Sequence, residues 1–262
     1  MRPIIYEPKG RAGEYGKWAA NLYTHCATGC RYCYVPGCLK MSREQFHANV
    51  APAPDVLSRL AHDCRTTRDS PIFLCFTTDP YQQFPDRGVD ITREAIEIIK
   101  RTGNHVKILT KGGLRAGRDM DLLDRGDEFG VTLAAGALDV GRWEPRAAPV
   151  VQRVETLKQA RRRHIKTWAS FEPVIDPAET LHMIRMTAHL LDFIAVGKAS
   201  RASTWEWPSE ERRRRFDAID WEEFAHNAVD QLERLGVRYQ IKADLAQHLS
   251  EAAETKEMMI HK

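Results

Sequence analysis

The chain has 262 residues, of which 43% are hydrophobic and 29% charged, with 13 prolines and 16 glycines. This composition excludes a wholly disordered chain and a fibrous repeat, and a chain of this length buries a continuous core without disulfides. The 39 lysines and arginines and the 36 aspartates and glutamates give a formal charge of only +3, so net charge does not identify a partner.

The start of the chain and its apolar runs predict where the protein works. Residues 1–8 lack the long apolar stretch of a secretory signal. The run Leu190–Val196 is interrupted by Asp192 and falls far short of the ~18 residues that a membrane span needs. We therefore expect a cytoplasmic protein with no membrane partner.

Short apolar or β-branched runs, most of them bounded by turn residues, predict strands along the chain. In chain order these runs are Asn21–Tyr23, Ile72–Phe76, Val106–Leu109, Gly130–Ala135, Thr167–Phe171, Phe193–Val196 and Val237–Ile241. Between the second and third strands, Thr92 is placed to cap a helix that ends before Gly103. A later helix presents an apolar stripe made of Val150, Val154, Leu157 and Ala160.

Strands that alternate with crossover helices predict an α/β fold with a parallel sheet or barrel. In such folds the functional residues gather in the loops that follow the carboxyl ends of the strands. These loops are therefore where we look for residues that carry chemistry.

A cluster of cysteines follows the first predicted strand. Cys26, Cys30 and Cys33 fall within eight residues, and Cys38 comes shortly afterwards. Without a secretory signal, clustered cysteines more often bind a metal or do redox chemistry than form disulfides. Two sites stay open: tetrahedral zinc on all four thiolates, or a four-iron cluster on three of them, which leaves one iron free for a ligand. The spacing favours the cluster, because zinc knuckles usually come as two separated pairs.

The pattern Cys-x-x-x-Cys-x-x-Cys, with the aromatic Tyr32 before its last cysteine, resembles the signature of the radical S-adenosylmethionine (SAM) superfamily. The resemblance implies that Cys26, Cys30 and Cys33 hold a [4Fe–4S] cluster whose open iron binds the amino and carboxylate groups of SAM. It implies an enzyme that cleaves SAM reductively to a 5′-deoxyadenosyl radical, with the electron coming from a reductase or a flavodoxin-type donor.

The same resemblance implies a domain organisation. We expect a partial (β/α)6 radical-SAM barrel over residues 21–200. A short N-terminal segment, residues 1–20, precedes it, and a C-terminal extension of helix and strand, residues 201–262, packs on the barrel.

Further motifs resemble the spore photoproduct lyase branch of the superfamily and its photolyase-like relatives. These motifs are Asn21–Cys26, Arg31–Tyr34, Thr77–Gln82, Leu109–Lys111 and Trp143–Pro145. By resemblance, the residues that bind SAM are Thr78, Asp79, Lys111 and Thr132, with Glu172 and Gly197 near its adenine or ribose. The alternative is structural: an Asp-Pro turn, a lysine that snorkels to solvent and an ordinary strand threonine.

The branch also implies catalytic roles for Tyr32, Tyr34 and Cys75. The two tyrosines match residues that relay a hydrogen atom in the lyase, and packing is the alternative for both. Cys75 lies nearest the lyase's hydrogen donor, but alignment of the following Thr-Asp turn puts Phe76 at that position. Because successive strand residues face opposite sides, we favour a buried structural role for Cys75, away from the substrate.

The substrate implied by this branch is a nucleic-acid base, in DNA lesion repair by a lyase or in base modification. Trp205 and Trp207 beside Arg212–Arg215 supply aromatics and cations for such a partner, or else pack a helix and form a solvated face. Two other functions stay open. One is a radical SAM enzyme for a peptide or small metabolite, and the other is a zinc-dependent nucleic-acid-binding module without catalysis.

Overall fold

Eight strands form one sheet in the computed structural model, which describes residues 3–68, 70–83, 90–199 and 201–249. The strands are β1 (Ile5–Tyr6), β2 (Trp18–Ala20), β3 (Ile72–Leu74), β4 (Val106–Thr110), β5 (Glu128–Thr132), β6 (Lys166–Val174), β7 (Phe193–Lys198) and β8 (Arg238–Ile241). They lie side by side in chain order, with β1 antiparallel to β2 and every later pair parallel. The predicted α/β fold with a partial barrel is confirmed.

Helices connect the strands. Those in the described residues are α1 (Val35–Leu39), α2 (Arg43–Ala48), α3 (Val56–Asp63), α4 (Ile91–Arg101), α5 (Val140–Trp143), α6 (Val150–Arg162), α7 (Pro177–Thr187), α8 (Glu210–Asp217), α9 (Trp221–Leu235) and α10 (Ala243–Ala246). Short 3₁₀ segments occupy Gly10–Tyr15, Gly113–Leu122, Ala188–Leu190 and Ala202–Thr204.

Alternating side chains place an aliphatic core on one side of the sheet and an aromatic cluster on the other. On β3, Leu74 belongs to the large core that includes helix residues, whereas its neighbour Phe73 packs with Trp168 of β6. Tyr15 joins this cluster from the N-terminal segment, with its ring centroid 5.8 Å from that of Trp168. A Cβ atom at Gly130 would lie 2.4 Å from the Trp168 ring, so only glycine fits where this indole crosses β5.

Some strand boundaries differ from the predicted ones. The first barrel strand ends at Ala20, so the predicted strand Asn21–Tyr23 is wrong. Asn21 instead donates through its side-chain amide to the Tyr6 hydroxyl at 2.9 Å and accepts from the Thr77 N–H at 3.2 Å. These bonds hold Asn21 in the turn that leaves the sheet. β5 also begins and ends earlier than predicted.

The first predicted helix forms but has a different cap. Asp90 caps α4 by accepting a hydrogen bond from the Arg93 N–H, so the prediction of Thr92 as the cap is wrong. The Thr92 side chain is fully buried and donates to the Pro80 carbonyl at 2.6 Å. Thr92 therefore anchors the helix to the loop that follows β3.

The second predicted helix forms, and its predicted apolar stripe is confirmed. Leu157 and Ala160 are fully buried, and the half-buried Val150 and Val154 pack against the same core. Arg153 and Thr156 are buried as well. The buried face is therefore wider than the predicted stripe, and Arg153 has buried partners, which are described below.

No helix in the described part of the chain is long and apolar enough to cross a membrane. The predicted division at residues 20 and 200 stays a prediction. β2 lies at the end of the first predicted segment, and residues 250–262 of the predicted extension lie outside the described residues.

Candidate active site

A cavity of about 510 Å³ lies at the carboxyl ends of strands β3 to β6. It brings together residues that are far apart in the sequence. The predicted site residues that line it are Cys30, Tyr32, Cys33, Tyr34, Cys75, Thr78, Asp79, Lys111, Thr132 and Glu172. Cys26 and Gly197 do not line the cavity, and Gly197 lies beside the Glu172 side chain.

The cysteine loop is held from the side of β3 by one glutamine. Gln82 is buried, and its side-chain oxygen accepts a hydrogen bond from the Ala27 N–H at 2.5 Å. Its side-chain amide donates to the His25 carbonyl at 3.1 Å. The loop is thereby fixed on both sides of Cys26.

Arginines hold the same loop from the opposite side. Arg43 of α2 donates to the carbonyls of Cys30 and Cys33, at 3.1 and 2.8 Å. Arg146 donates to the Ala27 carbonyl. These hydrogen bonds fix the backbone of the loop, and the side chains of Cys30 and Cys33 line the cavity.

The spacing of the cysteines tests whether they suit one ion or a cluster. Thiolates around one tetrahedral zinc lie about 3.8 Å apart, since each Zn–S bond is about 2.3 Å. In the described chain, the one group of three or more ligand atoms that all lie within 4.8 Å of one another is His105, Asp124 and Asp127. Within the described residues Cys26, Cys30 and Cys33 do not form such a group, and in a cluster each cysteine binds a different iron.

Burial keeps the three thiols protonated in the absence of metal. It raises the pKa of Cys26, raises that of Cys30 well above its usual range, and raises that of Cys33 to about 11. The Lys111 ammonium partly offsets the effect at Cys30. Since iron binds the thiolate, loading of the site must release these protons.

Asp79 joins the loops that follow two neighbouring strands. One carboxylate oxygen accepts from the Thr110 hydroxyl at 2.6 Å and from the Tyr81 N–H at 2.8 Å. The other accepts from the Lys111 N–H at 2.6 Å. A carboxylate offers about four acceptor positions, so these three bonds leave one for a ligand in the cavity.

Thr78 and Lys111 present polar groups to the cavity. The Thr78 hydroxyl is buried and forms no hydrogen bond of normal geometry within the described residues. The Lys111 ammonium lies 5.7 Å from the Tyr32 ring centroid and pairs with no carboxylate in the described part of the chain. Burial lowers the pKa of Lys111, but Cys30, Glu144 and Asp79 together raise it further, so the lysine stays charged. A hydroxyl, a carboxylate and an ammonium fit the amino and carboxylate groups of an amino acid.

The Tyr32 side chain is held in place by a buried network of hydrogen bonds. Its hydroxyl donates to Glu144, and the other carboxylate oxygen of Glu144 accepts from Arg153. Burial, and then the charge of Glu144, raise the pKa of Tyr32 well above its usual range. Its ring also packs against Trp143 and Trp205, with centroids 6.5 and 5.9 Å away. The structure describes a packing role for Tyr32, and the relay role stays a prediction.

Tyr34 and Cys75 line different parts of the cavity. Tyr34 is 42% exposed and lies at the mouth. Cys75 is buried, as predicted, but it does not face away from the cavity. Strand alternation does not apply to it, because β3 ends at Leu74 and Cys75 has a left-handed φ of 71°. Burial raises the pKa of its thiol to about 12, against a smaller lowering by the nearby Thr78 hydroxyl.

Glu172 is bound by residues from both ends of the chain. Its carboxylate accepts from Arg11 at 2.7 Å and from the Tyr15 hydroxyl at 2.5 Å, and it pairs with Lys242 at 3.0 Å. A Cβ atom at Gly197 would lie 3.0 Å from the Glu172 side chain. Gly197 therefore leaves space for the Glu172 side chain and its charged partners. Contact of Glu172 or Gly197 with adenine or ribose stays a prediction.

The aromatic and basic residues after β7 have structural partners. Trp205 is buried, and its ring centroid lies 5.2 Å from those of Trp207 and Phe216. In the arginine run, Arg212 binds Asp139, Arg213 pairs with Asp217 and Arg215 with Glu211. The tryptophans thus pack a helix on the barrel, and most of the arginine run is neutralised.

The sequence did not predict the residues that bind and position the residues lining the cavity. Arg153 had a signal: it lies three residues after Val150 and four before Leu157, on the buried face of a helix where a charge is unusual. Arg11, Arg43 and Lys242 had none, because their partners are distant in sequence.

Three cysteines on a loop after the first barrel strand, at the carboxyl edge of a mostly parallel sheet, define an iron–sulfur enzyme of the α/β class. Residues 20–191 match the sequence model of the Radical SAM superfamily, and the chain belongs to this superfamily. No protein of curated function matches the sequence significantly. Membership excludes the zinc-dependent binding module.

Two different proteins are among the solved structures with the same fold. Spore photoproduct lyase complexed with dinucleoside spore photoproduct is 14% identical, with a TM-score of 0.60, and the match covers 86% of this chain and 76% of that one. SuiB of Streptococcus suis bound to S-adenosylmethionine is 12% identical, with a TM-score of 0.61, and the match covers 89% of this chain and 52% of that one.

The cofactors of the enzyme are a [4Fe–4S] cluster and SAM. The residues present fit both: three free thiols on one loop for the cluster, and Thr78, Asp79 and Lys111 for the methionyl end of SAM. When bound, the cofactors supply reductive radical chemistry. The chain supplies the ligands, the ammonium and a cavity at the carboxyl ends of the strands.

Proposed function

We propose that this radical SAM enzyme acts on a base of single-stranded or locally opened nucleic acid, and either reverses a lesion or modifies the base. The mouth of the cavity carries this proposal. Tyr34, 42% exposed, lies there with the exposed cations Lys9 and Arg201. An accessible ring for stacking and cations for phosphates are the features with which proteins hold unpaired nucleotides.

The interior of the cavity supports the same substrate class. Phe76 stacks on Phe73 with ring centroids 4.0 Å apart, and both line the cavity with Tyr15. Aromatic walls suit a flat, weakly polar ring. A base in duplex would have to be flipped out to reach them, at a cost of a few kcal/mol. A solved lyase of the same fold holds a dinucleoside.

Within this proposal the residues have separate roles. Cys26, Cys30 and Cys33 hold the cluster. The methionyl group of SAM is bound by Thr78, Asp79 and Lys111, with Thr132, Glu172 and Gly197 on the side of its nucleoside. Tyr32, Tyr34 and Cys75 are the candidates for hydrogen transfer. The unpaired thiols of all six cysteines, which lie within the described residues, favour a reducing compartment such as the cytoplasm.

The electron donor in this proposal is a reductase or flavodoxin-type protein that docks on the outer side of the cysteine loop. A pit of about 270 Å³ lies there, and none of its lining residues lines the cavity. Arg31, Arg43 and Arg146 line it, donate to backbone carbonyls and form no ion pair within the described residues. Arg31→Glu should slow cluster reduction by a reduced flavodoxin but not by dithionite. Equal rates with flavodoxin would count against this docking site.

Oligonucleotide binding tests the substrate class. We expect the reconstituted enzyme to bind labelled single-stranded DNA, and Tyr34→Ala to cost ~1–3 kcal/mol of binding free energy if the ring stacks on a base. Lys9→Gln and Arg201→Gln should each flatten the salt dependence by about one phosphate contact. The exposed Arg214→Gln is the matched control, with no effect expected.

Failure to bind single- or double-stranded DNA or RNA at low salt would contradict the proposal. The radical SAM chemistry would stand, because it rests on the superfamily and not on the mouth of the cavity. A peptide or a small metabolite would then become the substrate to test.

A further inference from the structure

Glu144 and Arg153 form a buried ion pair behind the cavity. Glu144 is 1% exposed and Arg153 0%, and neither lines the cavity. Taking two charges out of water costs several kcal/mol per ion, and a well-packed apolar pair often stabilises a fold as much. Burial of this pair therefore points to a use other than stability.

The pair reaches two parts of the site directly. Glu144 accepts a hydrogen bond from the Tyr32 hydroxyl, and Tyr32 lies in the cysteine loop between Cys30 and Cys33. Arg153 donates to the Thr132 carbonyl at the end of β5, at 2.8 Å.

The pair also connects to a third part of the site, the loop of Lys111, through one intermediate residue. Arg153 also donates to the Ala148 carbonyl at 2.9 Å, and the Ala148 N–H donates to the Lys111 carbonyl at 2.9 Å. The backbone that carries the Lys111 ammonium is thus joined by hydrogen bonds to the backbone that carries the cysteines.

We propose that the Glu144–Arg153 pair is a positioning device that fixes the distance between the cysteine loop and Lys111, so that the cluster and the ammonium bind the same SAM molecule. Both residues are positioning residues, since they act through Tyr32, Thr132 and the loop of Lys111. The inference rests on the assignment of Lys111 to SAM made under the proposed function. It does not depend on the nature of the substrate.

Two conservative variants test the device in the reconstituted holoenzyme. Tyr32→Phe removes one hydroxyl, and Glu144→Gln keeps the shape of the side chain but removes its charge. We expect both to keep their iron and to lose about tenfold in SAM affinity, since a hydrogen bond to a charged group is worth ~1.5–3 kcal/mol. Affinity is read from the change that added SAM makes in the EPR spectrum of the reduced cluster.

Matched controls separate positioning from stability. Arg212→Gln breaks a half-buried pair with Asp139, which lies outside the cavity lining, and should leave the SAM-dependent spectrum unchanged. Lys111→Ala should lose affinity with the cluster intact. If Glu144→Gln does not fold, Tyr32→Phe decides the matter.

Unchanged SAM affinity and spectrum in Tyr32→Phe and Glu144→Gln, with lower resistance to denaturant, would overturn the inference and leave the pair a structural element. Unchanged affinity in Lys111→Ala would overturn the assignment of Lys111, and the inference with it. The nucleic-acid proposal would be untouched by either result, because no oligonucleotide is present.

Discussion

Lys111 brings a positive charge into the cavity and forms no ion pair with a carboxylate of the described residues. We expect Lys111→Met to weaken SAM binding by about ten- to a hundredfold, the effect of losing one charged hydrogen bond. Equilibrium binding to the reconstituted enzyme measures this. Lys158→Met, which replaces an exposed lysine of α6, is the control and should bind normally. Wild-type affinity in Lys111→Met would exclude Lys111 from the SAM site.

The residues that the sequence predicts best are those in short local patterns. Cys30, Thr78, Asp79 and Lys111 each sit in a motif directly after a strand, and the parallel sheet brings them to one cavity. The orientation of Cys75 was predicted wrongly, because strand alternation was extended one residue past the end of β3. A left-handed residue at a strand end has no reliable signal in one sequence.

At the scale of elements, the cap of α4 gives a direct test of local structure. The Asp90 carboxylate accepts from the Arg93 N–H at 3.3 Å and from Arg118 at 2.7 Å. We expect Asp90→Ala to lower the free energy of unfolding by ~0.5–2 kcal/mol, measured in urea. Asp90→Asn keeps a capping oxygen and should lose only the small part due to the exposed ion pair. Equal losses in the two variants would show that the cap does not stabilise the helix.

Element boundaries were predicted less well than element types. Asn21 has side-chain partners on β1 and beyond β3, and such distant bonds decided where β2 ends. The antiparallel β1 was not predicted, because Ile5–Tyr6 is too short to show a pattern. The burial of Arg153 on α6 was not predicted, because its partner Glu144 is nine residues earlier and lies outside that helix.

At the scale of the whole molecule, a group of ion pairs beside the sheet connects the N-terminal and C-terminal parts of the described chain. Arg11 of the N-terminal segment binds Glu172 of β6 and Asp244 of α10, each at 2.7 Å. Lys242, which is almost fully buried, pairs with Glu172. Burial raises the pKa of Asp244 to about 6, although Arg11 lowers it in part.

The raised pKa of Asp244 predicts a pH dependence of stability. An acid whose pKa is higher in the folded state binds its proton there first, so this group stabilises the fold as pH falls through about 6. Between pH 7 and 5 the gain should be about 1 kcal/mol in the free energy of unfolding. Asp244→Asn should abolish that gain in urea unfolding at the two pH values. The same pH dependence in the variant would contradict the assignment.

The fold class followed from alternation of strands and helices, and the cofactors from the resemblance of the cysteine loop. Both are local signals: the alternation recurs along the chain, and the cysteine pattern lies within eight residues. The ion pairs of Glu172 were not predictable. Arg11 and Lys242 are 161 and 70 residues away from Glu172 in the sequence, and neither lies in a recognisable motif. The substrate class depends on the mouth of the cavity, where residues from three regions of the chain meet.

The central claim is that Cys26, Cys30 and Cys33 bind one [4Fe–4S] cluster and Cys38 does not. Its most direct test is the iron content and visible absorption of single Cys→Ala variants after anaerobic reconstitution. We expect each of Cys26→Ala, Cys30→Ala and Cys33→Ala to lose the cluster, and Cys38→Ala to keep it. Full iron loading in Cys30→Ala, or loss of the cluster in Cys38→Ala, would contradict the account.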